Sequence, residues 1–194
     1  MVVAVLIMFF APQVEGALVA SRWEALKFFT VESNILMGIS ALISIIYIAQ
    51  NKNPLWVSIL KYISTGAVTL TFITVIVYLT PLVGFLALIT GPNLYMHLII
   101  PILSLVHFFI FEPRQENFKF YNTFLYIIPM GIYGLAYMIN VAVSNGYGTV
   151  ENDWYAFGTY GLGIGFLVYF IMLLLTYAMG IGLYFAYKKI KIFK

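Results

Sequence analysis

Three ionisable side chains lie well inside the apolar stretches of this sequence, namely Glu32, His97 and His107. Ionisable groups are costly in an apolar environment, so each is a candidate for a functional role. Glu32 follows Thr30 in a short polar run, and His97 precedes Pro101 by four residues. A hydroxyl and a neutral imidazole can act as nucleophile and general base in acyl transfer. Thr30 and His97 are therefore the first candidates for catalysis.

The polar run around Thr30 is arranged with helical spacing. Thr30, Ser33 and Asn34 occupy positions i, i+3 and i+4, which places them on one face of a helix. In a purely structural interpretation, Thr30 and Ser33 bond to their own helix and Asn34 joins two helices. In a catalytic interpretation, Ser33, Asn34 or Tyr95 donates to the oxyanion, and Glu32 contributes to the same site.

The two histidines predict different roles. Pro101 lacks the N–H that would bond the carbonyl of His97, so a kink is expected beside this imidazole. His107 lies ten residues further along, about 15 Å on a helix, and is predicted to make a structural polar contact outside that site. His97 and Glu32 supply two ligands where catalytic zinc needs three. No metal and no cofactor is expected.

The loop at residues 147–155 combines acidic and aromatic side chains. The simpler interpretation is an aromatic belt at the membrane surface with solvated carboxylates. The alternative is a lid over a pocket, in which Asp153 orients His97.

The composition places these residues in a membrane protein. Of 194 residues, 63% are hydrophobic and 9% are charged, whereas a soluble domain has about 25% charged residues. There is no cysteine, which excludes disulfides and thiol catalysis. The basic residues form no patch interleaved with aromatics, so nucleic acid is not an expected partner. The bilayer is the expected surrounding of a single membrane domain.

Apolar segments long enough to span a bilayer predict an all-α bundle of about six transmembrane helices. A span needs about 20 apolar residues, and the predicted spans are residues 1–20, 28–49, 55–79, 94–111, 122–143 and 160–187. The apolar part of the first segment is short for a span. A signal peptide is the alternative interpretation of this segment, although the segment lacks the basic residues with which a signal peptide begins. Residues 81–89 are too short to cross and predict a re-entrant or interfacial segment. Glycines between Gly158 and Gly182 predict close packing around the last span.

Basic residues predict the orientation of the spans. With six spans, one side of the membrane carries eight of the ten Lys and Arg residues: Lys52, Lys61, Arg114, Lys119, Lys188, Lys189, Lys191 and Lys194. This asymmetry predicts that both termini are cytoplasmic in a cell membrane. The spans carrying Thr30 and His97 then both start at the outer side, so the two side chains are expected at similar depth.

Two segments resemble a known family. Residues 28–34 resemble the F-F-T-x-x-S-N signature of the bacterial Pr-six-Pr proteins, a six-span membrane family without an assigned function. His97, Pro101 and the stretch from Phe108 to Pro113 resemble that family's H-x-x-x-P…W-L-L-F-x-P segment, although His107 stands where many relatives have an acidic residue. The family is distantly similar to the animal androgen-induced-gene membrane proteins. Those are described as threonine hydrolases that cleave fatty acid esters of hydroxy fatty acids.

The resemblance implies an intramembrane lipid-ester hydrolase with Thr30 as nucleophile and His97 as base. Its substrate would be a lipid or fatty-acyl ester, reached through a pocket between the spans that carry Thr30 and His97. Two other classes stay open, a transporter and a non-catalytic protein that binds a lipid or small molecule. A Thr30 hydroxyl bonded to its own helix would favour the non-catalytic protein. The oligomeric state is open.

Overall fold

The computed structural model describes residues 22–149 and 151–189. This part of the chain contains five long helices. They are α1 (Phe29–Ala49), α2 (Leu55–Leu79), α3 (Pro92–Ile110), α4 (Phe120–Ser144) and α5 (Leu162–Lys189). Each has 19 to 28 residues and is apolar enough to cross a membrane. The predicted all-α membrane fold is confirmed at this level.

The predicted spans agree closely with these helices. Both ends of each of the five spans predicted from residue 28 onward lie within two residues of a helix end in the structure. The agreement follows from the breakers between the apolar runs, such as Pro54 at the start of α2 and Asn145, which ends α4 in the left-handed conformation. The first predicted span, residues 1–20, lies outside the described residues.

Helix α2 is the centre of the bundle. It packs against α1, α3, α4 and α5, and 56% of its apolar window is buried inside the protein. Helix α5 has only 17% of its window buried. Its exposed face consists of large apolar side chains such as Leu167, Phe170 and Leu174. A face of this kind is suited to contact with lipid.

Glycines allow two helices to approach the ring of Tyr126 at one end of the bundle. A Cβ atom on Gly180 of α5 would lie 2.8 Å from Cγ of Tyr126, and a Cβ on Gly66 of α2 would overlap the same ring. The Tyr62 hydroxyl donates to the carbonyl of Gly180 over 2.7 Å. The predicted close packing is confirmed for Gly180, whereas nothing lies near Gly163 or Gly182.

Helices α2 and α3 each contain a π-helical segment toward the end of the bundle that holds Thr30. The segments are Thr74–Leu79 and Tyr95–Ile99. The second surrounds His97 and is followed by Pro101, so the predicted irregularity takes the form of a π segment. Such segments are frequent at functional sites.

A compact connection links α2 to α3. It consists of the one-turn helices Thr80–Val83 and Phe85–Leu88, joined at Gly84 with a φ of 86°. The connection coincides with the predicted re-entrant or interfacial segment, and its second helix ends beside His97.

Candidate functional site

Thr30 borders a mostly apolar cavity of about 530 Å³ between α1, α2, α4 and α5. No hydrogen bond of its side-chain hydroxyl occurs within residues 22–149 and 151–189. The remaining wall is formed largely by apolar side chains, among them Leu70, Met130, Ile164, Val168, Met172 and Leu175. The cavity therefore has an available hydroxyl on a wall that suits a hydrocarbon chain.

Ser33 and Asn34 are occupied by structural contacts. The Ser33 hydroxyl donates to the carbonyl of Thr30 over 3.0 Å and lies 3.1 Å from the hydroxyl of Thr71 on α2. The Asn34 amide nitrogen donates to the carbonyl of Thr30 over 2.7 Å and to that of Met96 over 3.3 Å. The structural interpretation is confirmed for these two residues. It is wrong for Thr30, whose hydroxyl is not bonded to its helix.

Asn34 connects the helix of Thr30 with the helix of His97. Its side chain is fully buried, and its amide nitrogen bonds a carbonyl on each of the two helices. The Asn34 carbonyl oxygen is buried without a partner among the described residues. A buried acceptor of this kind is destabilising unless a water or ligand satisfies it.

His97 is held by a backbone carbonyl. Its side chain is 8% exposed, and its Nδ1 atom lies 2.6 Å from the carbonyl oxygen of Leu88. Because a carbonyl can only accept, Nδ1 must carry the proton and Nε2 presents a lone pair. No described residue bonds to Nε2, and the Thr30 hydroxyl is not hydrogen-bonded to it. His97 does not border the Thr30 cavity, which the sequence had predicted to lie between the helices of these two residues.

Leu88 was not identified from the sequence. It contributes a carbonyl, which every residue type possesses, so no side-chain signal marks it. The one available indication was the short apolar segment just before α3, whose length required the chain to turn back close to His97.

Asp153 has a structural role that differs from both sequence interpretations. Its side chain is 3% exposed and accepts a hydrogen bond from the Tyr137 hydroxyl. The N–H groups of Gly148 and Gly158 donate to its other oxygen over 2.8 Å and 3.0 Å. The predicted solvated carboxylate is wrong for Asp153, and its predicted contact with His97 is absent from the described residues. The aspartate instead fixes its own loop to α4.

The same loop closes the start of α1. The hydroxyl of Tyr155 accepts the backbone N–H of Phe29 over 3.1 Å, which satisfies a free donor of the first helical turn. Burial raises the pKa of Tyr155 to about 12, so the phenol stays neutral well above physiological pH.

The remaining oxyanion candidates lie apart from the Thr30 cavity. Tyr95 is 45% exposed and borders neither of the two principal cavities. Glu32 borders a second cavity, of about 480 Å³, between α1 and α4. The predicted polar residues therefore do not share one site. Thr30 and Glu32 border different cavities, and Asn34 lies at the contact between α1 and α3.

A further polar cluster lies at the opposite end of the bundle. Lys61 of α2 lies in this cluster and is only 5% exposed. The buried carboxylate of Glu112 accepts the Ser58 hydroxyl over 2.7 Å. His107 packs against the ring of Phe111 and has a buried Nδ1 without a partner among the described residues. No group of three metal-binding side chains occurs in the described ranges.

Comparisons with known proteins identify no relative: no family model, curated protein or solved structure matches this chain.

Proposed function

We propose that this protein is an integral membrane hydrolase that cleaves fatty-acyl esters, with Thr30 as the nucleophile and His97 as the base. The observation that carries the proposal is the available Thr30 hydroxyl on the wall of an apolar cavity. The cavity's volume of about 530 Å³ is within the roughly 300–1,000 Å³ of small-molecule sites. An acyl chain along this wall would bring its ester group to Thr30.

The tautomer of His97 suits the role of a base. With Nδ1–H directed to the carbonyl of Leu88, the lone pair on Nε2 is the atom that accepts a proton. The Thr30 oxygen would attack the ester carbon while its proton passes to Nε2. The tetrahedral intermediate would then expel the alcohol, which takes that proton. Water would cleave the acyl-threonine in the same way, releasing the fatty acid and restoring both groups.

The mechanism requires Thr30 and His97 to approach each other when the lipid binds. Catalytic hydrogen bonds are often long or poorly aligned before substrate binds. The Asn34 amide keeps the two helices in register while the side chains adjust, since it bonds the carbonyls of Thr30 and Met96.

The proposal includes the placement in the membrane. Six spans, with residues 1–20 as the first, would put both termini in the cytoplasm and the Thr30 end of the bundle in the outer leaflet of the cell membrane. The distribution of lysine and arginine supports this orientation. The resemblance of residues 28–34 and 97–113 to the Pr-six-Pr segments supports the assignment of Thr30 and His97.

A non-catalytic lipid-binding protein is the second candidate. The absence of a hydrogen bond between the Thr30 hydroxyl and His97 favours it, as does the use of Ser33 and Asn34 in structural contacts. In that case the cavity would hold an acyl chain without attacking it.

Covalent labelling with a fluorophosphonate probe tests the proposal. We expect the purified protein to be labelled, and Thr30→Val and His97→Gln to abolish labelling. Thr74→Val is the matched control for the first, since Thr74 borders the same cavity from α2. His107→Gln is the control for the second, since it lies on the same helix. Both controls should keep the label.

The opposite results would contradict the proposal. Labelling that survives Thr30→Val in a folded variant would exclude this nucleophile. An absence of labelling in the wild type, together with saturable binding of a fluorescent fatty acid, would favour the non-catalytic alternative.

A further inference from the structure

The cavity beside Glu32 is a separate site from the one beside Thr30. It has a volume of about 480 Å³ and lies between α1 and α4 near the loop of Trp154. Phe29, Tyr133 and Tyr137 border both cavities and form the wall between them. A ligand in this second cavity would therefore not occupy the acyl-chain cavity.

Most hydrogen-bond donors around this cavity are already used within the protein. The Tyr133 hydroxyl donates to the carbonyl of Lys27 over 2.5 Å, and the Trp154 ring N–H donates to the Tyr133 oxygen over 3.1 Å. The Tyr137 hydroxyl donates to Asp153, and Ser33 donates to the carbonyl of Thr30. Apart from the Lys27 ammonium and the second N–H of the Asn140 amide, the described side chains around the cavity offer a ligand no further strong donor.

The acceptors around the cavity, in contrast, are available. The carboxylate of Glu32 has no hydrogen bond or ion pair in the described part of the chain. Asn140 donates one of its two amide N–H groups to the carbonyl of Asn152 over 3.0 Å, and its side-chain oxygen is available as an acceptor. A ligand that satisfies this cavity must bring N–H donors and a positive charge.

Lys27 does not neutralise Glu32 in this arrangement. Its ammonium lies over the rings of Phe28 and Trp154, 5.6 Å and 5.5 Å from their centres. This is the geometry of a cation–π contact. The ammonium remains on the cavity wall, where it can attract an anionic group next to the ligand's own positive charge.

The rest of the wall is apolar. The apolar side chains of Leu36, Pro129 and Ile132 border the cavity. They lie alongside three polar residues, namely Glu32, Asn140 and Lys27. A site with this combination suits an amphiphile, whose polar group meets the charged residues while its hydrocarbon part lies along the apolar ones.

From these contacts we infer that the cavity between α1 and α4 binds a lipid headgroup with a primary ammonium, held by Glu32 and Asn140. A phosphate beside the ammonium would face Lys27, so a phosphatidylethanolamine headgroup has the required chemistry. A quaternary ammonium, as in phosphatidylcholine, has no N–H to donate and would bind more weakly. Free phosphoethanolamine shares the polar chemistry but lacks the hydrocarbon part.

Fluorescence of Trp154 measures binding at this site. Replacing the exposed Trp23 and Trp56 with phenylalanine leaves Trp154 as the reporter in the full chain. Titrations in detergent would compare phosphatidylethanolamine, phosphatidylcholine and free phosphoethanolamine. We expect saturable binding, tightest for phosphatidylethanolamine, and a loss of about tenfold or more in affinity with Glu32→Gln.

The matched controls separate this site from the other one. Glu24→Gln removes an exposed carboxylate of the preceding 3-10 turn that does not border the cavity, and should leave the affinity unchanged. Thr30→Val should also leave it unchanged, because Thr30 borders the other cavity. The thermal midpoint of each variant establishes that it is folded.

Several outcomes would overturn the inference. These are equal affinities for phosphatidylethanolamine and phosphatidylcholine, or an unchanged affinity in a folded Glu32→Gln variant. Binding of phosphoethanolamine as tight as that of the lipid would overturn the assignment to a lipid headgroup. None of these results depends on whether Thr30 is a nucleophile.

Discussion

Glu112 is a buried carboxylate at the end of the bundle opposite Thr30. It follows the end of α3, is 8% exposed and accepts a hydrogen bond from Ser58. Burial raises the pKa of this carboxyl, and the Ser58 hydrogen bond and the charges of Lys61 and Arg114 offset only part of that rise. The folded protein therefore holds the proton to a higher pH than the unfolded chain does.

This difference predicts a pH-dependent stability. A carboxyl with a raised pKa in the folded state stabilises fully below the unfolded pKa, which is about 4.3 for glutamate. As the pH rises from there through the raised pKa of Glu112, the free energy of unfolding decreases. Glu112→Gln should abolish this contribution. The thermal midpoint of the variant should therefore rise relative to that of the wild type as the pH increases from 4.5 to neutral.

Thermal unfolding in detergent across that pH range measures the effect. The exposed Glu116 provides the control, since Glu116→Gln should follow the wild type at every pH. A constant difference in midpoint between Glu112→Gln and the wild type would contradict the assigned origin of the effect.

Individual site residues differed in how well the sequence predicted them. His97 is a candidate because imidazole groups are rare in the apolar segments, whereas Thr30, one of many hydroxyls there, is a candidate through the motif of residues 28–34. The partner of Asp153 was not identifiable, because its contacts with Tyr137, Gly148 and Gly158 depend on how its loop folds onto α4. The burial of Lys61 was not predictable either, because it depends on how the neighbouring helices pack around α2.

At the scale of elements, α5 carries glycines on two faces with different surroundings. Gly180 faces the ring of Tyr126, where an added Cβ would lie 2.8 Å from Cγ, whereas nothing lies within 4 Å of a Cβ at Gly182. The side chains on the two faces of one helix therefore meet protein on one side and open space on the other.

Alanine substitutions should distinguish these faces. Gly180→Ala is expected to destabilise the bundle by about 1–3 kcal/mol, because the added methyl group displaces Tyr126 or α5. Gly182→Ala should be neutral or slightly stabilising, since it improves helix propensity without a clash. Denaturant unfolding of the two variants measures the difference, and equal stabilities would contradict the packing of α5 against Tyr126.

The ends of the helices and their rotations about their own axes differ in how well the sequence predicts them. Helix ends were predictable because proline, glycine and charged residues interrupt the apolar runs. The rotation of each helix was not, since a helix that is apolar on every side gives no periodic signal. Pro101 predicted an irregularity near His97 but not its π-helical form, nor the Leu88 carbonyl that orients the imidazole.

At the scale of the whole molecule, the two ends of the bundle carry different charges. The loops 50–54 and 111–119, at the Lys61 end, contain Lys52, Arg114 and Lys119. At the Thr30 end, the loops 80–91 and 145–161 contain no lysine or arginine, and the segment before α1 contains Arg22 and Lys27. Loops rich in these residues stay on the cytoplasmic side, so the Thr30 and Glu32 cavities are expected in the outer half of the bilayer.

The absence of cysteine makes this orientation directly measurable. Glu116→Cys and Glu151→Cys each introduce one thiol at an exposed position, in loops at opposite ends of the bundle. In intact cells a membrane-impermeant maleimide should label Glu151→Cys, whereas Glu116→Cys should be labelled only after permeabilisation. The unmodified chain gives the background. The reverse pattern would place Thr30 and Glu32 in the cytoplasmic leaflet, and any lipid substrate or ligand would then have to be one that this leaflet supplies.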